Sequence, residues 1–186
     1  MNHKIALLVD SGCDVPQKYL TQPNVFSVPL KLIYQDRQYL DGVDITGEEV
    51  LSHLEKEVPK TSLPDGQIIT DTLEKIAENF QQVIVVTISS GLSGTYNALR
   101  LHLEEFPQLE SALIDTKNIG IAAGFQGIYA YELIEQGLEF SEIVEKINQS
   151  IPKTKVFFSV ATLEYLQKGG RIGLVPALLG QALSLK

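Results

Sequence analysis

The hydrophobic positions fall into short dense blocks separated by longer stretches of helical period. Ile5–Val9 is continuously apolar and stops at Asp10-Ser11-Gly12. Val25–Tyr34 reads as a second extended segment, Val83–Ile88 as a third ending at Ser89-Ser90-Gly91, and Ser111–Ile114 as a fourth ending at Asp115-Thr116. Lys155–Val160 reads as a fifth. Blocks with so little polar alternation suit strands buried on both faces, as in parallel sheets.

Helices account for the gaps. Thr46-Gly47-Glu48-Glu49 has the form of a capping box with Thr46 as N-cap, opening a helix to about Glu57 ahead of Pro59. Ile68, Ile69, Leu73, Ile76 and Phe80 give a helical period between Pro64 and Phe80. Tyr96, Leu99, Leu103 and Phe106 share one side of a helix from Ser93. Ile119–Glu135 is apolar or small almost all round, which predicts deep burial. Ser141 is placed to cap a last helix running to about Ser150. Strands separated by helices predict an α/β protein, a three-layer α/β/α sandwich around a mostly parallel sheet. Tyr34–Gly42 stands outside that plan as a hairpin or long loop.

The pattern changes after Val160. Thr162–Lys168 reads as a short helix, Gly169-Gly170-Arg171-Ile172-Gly173 follows, and Pro176–Leu185 starts another apolar helical pattern. Residues 1–160 are therefore expected to form one domain and residues 161–186 the beginning of an incomplete second. Its apolar face is expected to be covered by another chain, through self-association, or by a rearranged C-terminus.

Composition narrows the partners. The chain has 186 residues, 44% of them hydrophobic, and a formal charge of −8. It is long enough for a real core and too apolar for disorder. No apolar run approaches the ~18–20 residues of a membrane span, and Asp10 interrupts the first block too early for a signal peptide. One cysteine and three scattered histidines leave no disulfide framework and no plausible structural zinc site. Without a Lys/Arg cluster, nucleic acid is not an expected partner. A cytoplasmic protein acting on a small or apolar ligand fits what remains.

Open parallel sheets collect ligands beyond the carboxyl ends of their strands. That rule selects Asp10-Ser11-Gly12-Cys13-Asp14, Ser89–Thr95 and Asp115-Thr116. In the second loop, Gly91 and Gly94 let the backbone approach a ligand, and a helix start favours an anion. Ser93 is equally readable as a simple N-cap. Thr61 and Ser62, in Pro59-Lys60-Thr61-Ser62-Leu63-Pro64, offer two more hydroxyls ahead of a helix; they are also readable as simple capping, since Ser62 or Leu63 must precede the Pro. Together these loops would hold a carboxylate without lysine. Arg171, between glycines, is a reasonable further carboxylate or phosphate contact. Cys13, flanked by acids, should have a raised thiol pKa and no nucleophilic role.

Gly91-Leu92-Ser93-Gly94-Thr95 also approaches the nucleophile elbow G-x-S-x-G, with Thr in the last place. A serine hydrolase using Ser93 is thus the alternative, but it requires a general base. His3 precedes the first strand, His102 lies roughly 13 Å along the helix from Ser93, and His53 falls mid-helix on an expected surface. A sugar- or dihydroxyacetone-kinase reading would likewise need a histidine at the strand ends. The small residues Ala122, Ala123, Gly124 and Gly127 either permit close helix–sheet packing or leave room for a ligand.

Five segments in order carry a family resemblance: Leu7-Leu8-Val9-Asp10-Ser11, Asp41-Gly42-Val43-Asp44-Ile45-Thr46, Pro59-Lys60-Thr61-Ser62-x-Pro64, Ser89-Ser90-Gly91-Leu92-Ser93-Gly94-Thr95-Tyr96 and Gly169-Gly170-Arg171-Ile172. The whole chain resembles the DegV family of bacterial fatty-acid-binding proteins. The resemblance implies a binding subunit without catalytic residues or cofactor of its own. Such a subunit presents a long-chain fatty acid to a separate ATP-dependent fatty acid kinase, which forms the acyl phosphate. It implies a fold shared with the first domain of dihydroxyacetone kinases. It implies that Thr61, Ser62 and Ser93 hold the carboxylate with Arg171 nearby; Gly94 joins them as a candidate, and Asp10, Ser11 and Gly91, in the strand-end loops, are candidate further contacts. Cys13 and Leu63 depart from the family's usual residues. Full-length members continue into a second α/β domain that completes the acyl tunnel and adds a histidine.

Overall fold

The computed structural model describes residues 4–54 and 56–172. His3, Gly173 and the Pro176–Leu185 pattern lie outside the described residues. The chain divides into two compact units, Met1–Val156 and Phe157–Lys186.

The first unit is built on four parallel strands, β1 (Ile5–Asp10), β2 (Val25–Val28), β6 (Gln82–Thr87) and β7 (Glu110–Asp115), in the order β2-β1-β6-β7. Alternate side chains of β1 and β6 serve opposite cores, as the two-residue period of a strand demands. Leu7, Val9, Ile84 and Val86 pack with α5 (Ile121–Glu135) and α6 (Phe140–Ser150). Ala6, Leu8, Val83 and Val85 pack with α3 (Gly66–Asn79) and α4 (Thr95–Leu103). Both faces of the sheet are covered, which is the three-layer sandwich the uninterrupted apolar blocks predict. Burial of each Leu or Ile in these layers contributes about 1.5–3 kcal/mol. A short helix, α1 (Gln17–Leu20), joins β1 to β2.

A second sheet takes up the region set apart in sequence. The strands β3 (Lys31–Ile33), β4 (Gln38–Leu40) and β5 (Lys60–Ser62) form an antiparallel sheet in the order β4-β3-β5. Leu32, Tyr34 and Ile45 make its small core, with Tyr39 and Val50 against them. Val25–Tyr34 is therefore two strands in two sheets, separated at Pro29-Leu30. The helix α2 (Gly47–His53) opens with the expected capping box: Thr46 Oγ1 accepts from Glu49 N–H at 3.2 Å, and Glu49 Oε2 accepts from Thr46 N–H at 2.7 Å. It ends at His53, before Glu57.

Three local expectations are corrected. Lys155–Val160 forms no strand: the chain leaves α6 through a turn at Ile151–Lys153 and continues without ladder partners. Lys153 and Lys155 bracket this exit, and Phe157 and Phe158 are exposed rather than buried. Helix α6 begins at Phe140 with Glu139 at its cap position, so Ser141 lies inside the helix. Helix α3 is capped by Asp65, whose side chain accepts from Gln67 N–H at 3.0 Å, rather than by Ser62 or Leu63. In the second unit, α7 (Glu164–Lys168) is the short helix expected there.

The small residues of α5 serve packing. A Cβ on Gly124 would lie 2.2 Å from the Cys13 carbonyl oxygen, and one on Gly127 would lie 3.2 Å from Val9 Cγ1. The helix thus sits directly on β1 and the turn that follows it, with no room left between them.

Candidate functional site

Because the four strands are parallel, Asp10, Val28, Thr87 and Asp115 all end at one edge of the sheet. The chain leaves β1 by a single 3-10 turn, Ser11–Cys13, and leaves β2 directly into the small sheet. It leaves β6 through Ile88–Gly94 into α4, and β7 through Thr116–Gly120 into α5.

The hydroxyl residues lie on two arms over this edge. One arm is β5, whose Thr61 pairs with Leu32 and Ser62 with Lys31 of β3. Thr61 is exposed and Ser62 half-buried, and among the described residues neither hydroxyl has a hydrogen-bond partner. The backbone of both is fixed by the ladder while the hydroxyls remain open. Lys31 Nζ lies 3.3 Å from Asp65 Oδ2, which ties β3 to the start of α3. The second arm is the loop before α4. Ser93 Oγ lies 2.8 Å from Thr95 Oγ1 and 3.3 Å from Thr95 N. Gly94, not Ser93, occupies the cap position of the helix. A Cβ on Gly94 would lie 3.5 Å from Leu63 Cδ2. The residue beside Ser62 therefore meets the residue beside Ser93, which brings the two arms together.

Asp10, Ser11 and Gly91 are each hydrogen-bonded within the protein. The Asp10 side chain is fully buried, and its Oδ2 accepts from Ile88 N–H at 2.9 Å. Burial raises its pKa from the ordinary 3.8 to about 6, against the lowering effect of the Ile88 and Gly12 N–H groups and the Cys13 side chain. Ser11 Oγ accepts from Leu30 N–H at 3.0 Å and donates to Asp41 Oδ2 at 2.7 Å. Gly91 N–H is held by Ser89 Oγ at 3.2 Å. Cys13 is buried, and burial, with Asp10 beside it, pushes its thiol well above the ordinary range. That agrees with the unreactive thiol expected from sequence.

Two arrangements inside the loops selected from sequence were not themselves readable there. Thr95 is buried and shares a hydrogen bond with Ser93, although its only sequence sign is a hydroxyl beside a glycine. Asp115 gathers the Ser90 and Lys117 N–H groups on Oδ1 and the Lys117 ammonium on Oδ2 at 2.6 Å. Burial alone would raise the Asp115 pKa, but these Lys117 and Ser90 bonds outweigh it and hold the carboxyl below its usual range. Lys117 has a positive φ of 55°, which no residue type in the sequence announces.

The two described imidazoles have partners other than Ser93. His53 Nδ1 lies 3.4 Å from the Tyr34 hydroxyl, so His53 packs on the small sheet rather than lying free on a surface. His102 Nδ1 lies 3.2 Å from Thr70 Oγ1. Among the described residues, the Ser93 hydroxyl is therefore bonded to a second hydroxyl and to backbone, not to a base. Among the described residues, no group of three or more His, Cys, Asp or Glu side chains is arranged to hold a metal ion. No described helix is long and apolar enough to cross a membrane. Within the second unit, Arg171 directs Nη1 to the Gly169 carbonyl at 2.5 Å.

Comparison with known proteins follows the same pattern. Residues 4–186 match the family described as "Uncharacterised protein, DegV family". A DegV domain-containing protein of Clostridium acetobutylicum is 42% identical over 184 residues, covering 98% of this chain and 66% of the relative. A solved DegV family protein from Thermus thermophilus, described by its fatty acid binding, superposes with a TM-score of 0.85 at 32% identity. That match covers 95% of this chain and 64% of the other. A stearic acid-binding protein from Eubacterium ventriosum gives a TM-score of 0.81 at 33% identity, over 92% of this chain and 61% of the other. The chain thus spans just under two thirds of the length of these relatives.

Proposed function

Since the chain belongs to the DegV family, we propose that it binds a long-chain fatty acid, with the carboxylate held by the hydroxyls of Thr61, Ser62 and Ser93 and the backbone at Gly94. The observation that carries this reading is the meeting of the two hydroxyl arms at Leu63 and Gly94, with the Thr61 and Ser62 hydroxyls open. A carboxylate accepts hydrogen bonds only, so hydroxyls and helix-start N–H groups suit it. Charge-assisted bonds of this kind are stronger than neutral ones. The apolar tail needs apolar surface, at about 0.8 kcal/mol per buried methylene. Ile119, Ile121 and Phe125 keep exposed apolar side chains around the head of α5. The Asn118 carbonyl accepts from Ser89 N–H at 2.7 Å and so joins this segment to the serine loop.

In this reading the chain is a binding subunit. A separate ATP-dependent kinase phosphorylates the presented carboxylate. Structural neighbours described as binding stearic acid and other fatty acids support the ligand class. The test is a titration of delipidated protein with palmitate, followed by native mass spectrometry. One bound palmitate, lost or weakened about tenfold in Ser62→Ala and Ser93→Ala, is expected. No adduct, or equal affinity in both variants, would reject the assignment. Labelling of Ser93 by a fluorophosphonate would instead favour a hydrolase.

A further inference from the structure

The end of β1 lies between the two arms, and consecutive side chains there hold one arm each. Asp10 Oδ2 takes the Ile88 N–H, and Ile88 is the residue immediately before the Ser89–Thr95 loop. Ser11 Oγ takes the Leu30 N–H, and Leu30 immediately precedes β3, which carries β5 in its ladder. The same hydroxyl donates to Asp41, whose own N–H bonds the Leu30 carbonyl at 2.9 Å. Ser11 is thus tied to the root of the small sheet from both sides. Gly12 completes the junction: a Cβ there would lie 3.1 Å from Leu30 Cδ1 and 3.2 Å from Ile88 Cγ2. The strand end therefore has one backbone contact point for each arm.

We propose that Asp10 and Ser11 are positioning residues, which fix the Ser93 arm and the Thr61–Ser62 arm relative to one another without meeting the ligand. The role of the arms rests on the fatty-acid reading; the clamp itself rests on the hydrogen bonds alone. Asp10 is fully buried, and Ser11 spends its hydroxyl on Leu30 and Asp41, so neither side chain is free for a carboxylate. A site made of a few hydroxyls needs such support, because its donors must be held within about 0.5 Å of the productive geometry.

Asp10 also gives the clamp a signature. Its Oδ1 has no partner of hydrogen-bond geometry among the described residues, and burial brings its titration to about pH 6. The ionisable groups acting on it are Cys13, whose thiol stays neutral, and Asp14, whose pKa is itself raised by burial and by Asp41. Above pH 6 the Ile88 N–H meets a carboxylate; below it, a neutral acid and a weaker bond.

The experiment is amide NMR of the ligand-free protein from pH 5 to 8, with palmitate affinities measured alongside, for wild type, Asp10→Asn and Ser11→Ala. In wild type, Ile88 and the loop amides up to Thr95 should shift together with a midpoint near 6, and in Asp10→Asn they should not. Ser11→Ala should displace the amides of Leu30 and of Lys60–Ser62, and weaken palmitate binding about tenfold. At pH 8, Asp10→Asn should bind as wild type does at pH 5, once the ligand's own titration, common to both proteins, is removed. Wild-type affinity in Ser11→Ala, or loop amides that do not titrate in wild type, would overturn the clamp. Failure of wild type to bind palmitate would reject the proposed ligand, and the loop titration would still decide the clamp, for it or against it.

Discussion

Replacing Asp10 by Asn should stabilise the protein at neutral pH. The Asp10 carboxyl ordinarily titrates at 3.8 and here titrates at about 6, chiefly because burial penalises its charged form. The native state therefore holds this proton more tightly than the unfolded chain does. Between those two pH values the native state binds more protons, so stability falls as pH rises. Above pH 6 the full difference is felt, about 3 kcal/mol at 1.36 kcal/mol per pH unit. Asn has the same shape, can still accept the Ile88 N–H, and carries no charge to desolvate. Urea unfolding of both proteins from pH 4 to 8 isolates the effect, because other titrating groups cancel in the difference. The variant should gain up to about 3 kcal/mol relative to wild type between pH 4 and pH 8, less whatever its amide leaves unpaired. A difference that stays constant within about 0.5 kcal/mol over that range would refute the reasoning.

Other outcomes follow from the same geometry. Gly124→Ala places a Cβ against the Cys13 backbone carbonyl, so it should cost about 3 kcal/mol and lower the thermal midpoint. Leu73→Ala empties a fully buried position under the sheet and should cost about 2–5 kcal/mol in urea unfolding. Cys13 should resist thiol reagents such as Ellman's reagent in the native protein and react on unfolding; fast native labelling would contradict its buried, raised-pKa setting. The Glu49 carboxyl is held below its ordinary range by the Thr46 N–H and hydroxyl, so the contribution of the capping box is present above the ordinary glutamate pKa. That contribution should fade as pH falls through the lowered value, and Thr46→Ala should remove this acid-side loss.

Much of the fold was legible because its elements obey single periodicities. The Ile5–Val9 and Val83–Ile88 blocks announce strands buried on both faces, and the Thr46–Glu49 box marks a helix start from four residues. Lys155–Val160 misled because β-branched and aromatic residues suit a strand only where neighbours exist to pair with them. Ser141 and Ser62 misled because serine caps are common, whereas Asp65 and Glu139 took the cap positions through the path the chain follows into each helix. At the site, the hydroxyls could be named from sequence, but their neighbours could not. That Leu63 meets Gly94, or that Ser11 grips Leu30 and Asp41, depends on how the small sheet folds over the strand ends. No local pattern encodes a contact across 30 residues. Asp10 shows the limit most clearly: its place at a strand end is readable from sequence, while its complete burial and its bond to the Ile88 N–H are not.

The most direct test of the account is a crystal structure of the protein with palmitate. The account predicts aliphatic density whose carboxylate oxygens lie about 2.5–3.0 Å from the hydroxyls of Ser93 and of Ser62 or Thr61. A palmitate whose carboxylate lies away from both arms, with the Ser93 hydroxyl still on Thr95, would contradict it.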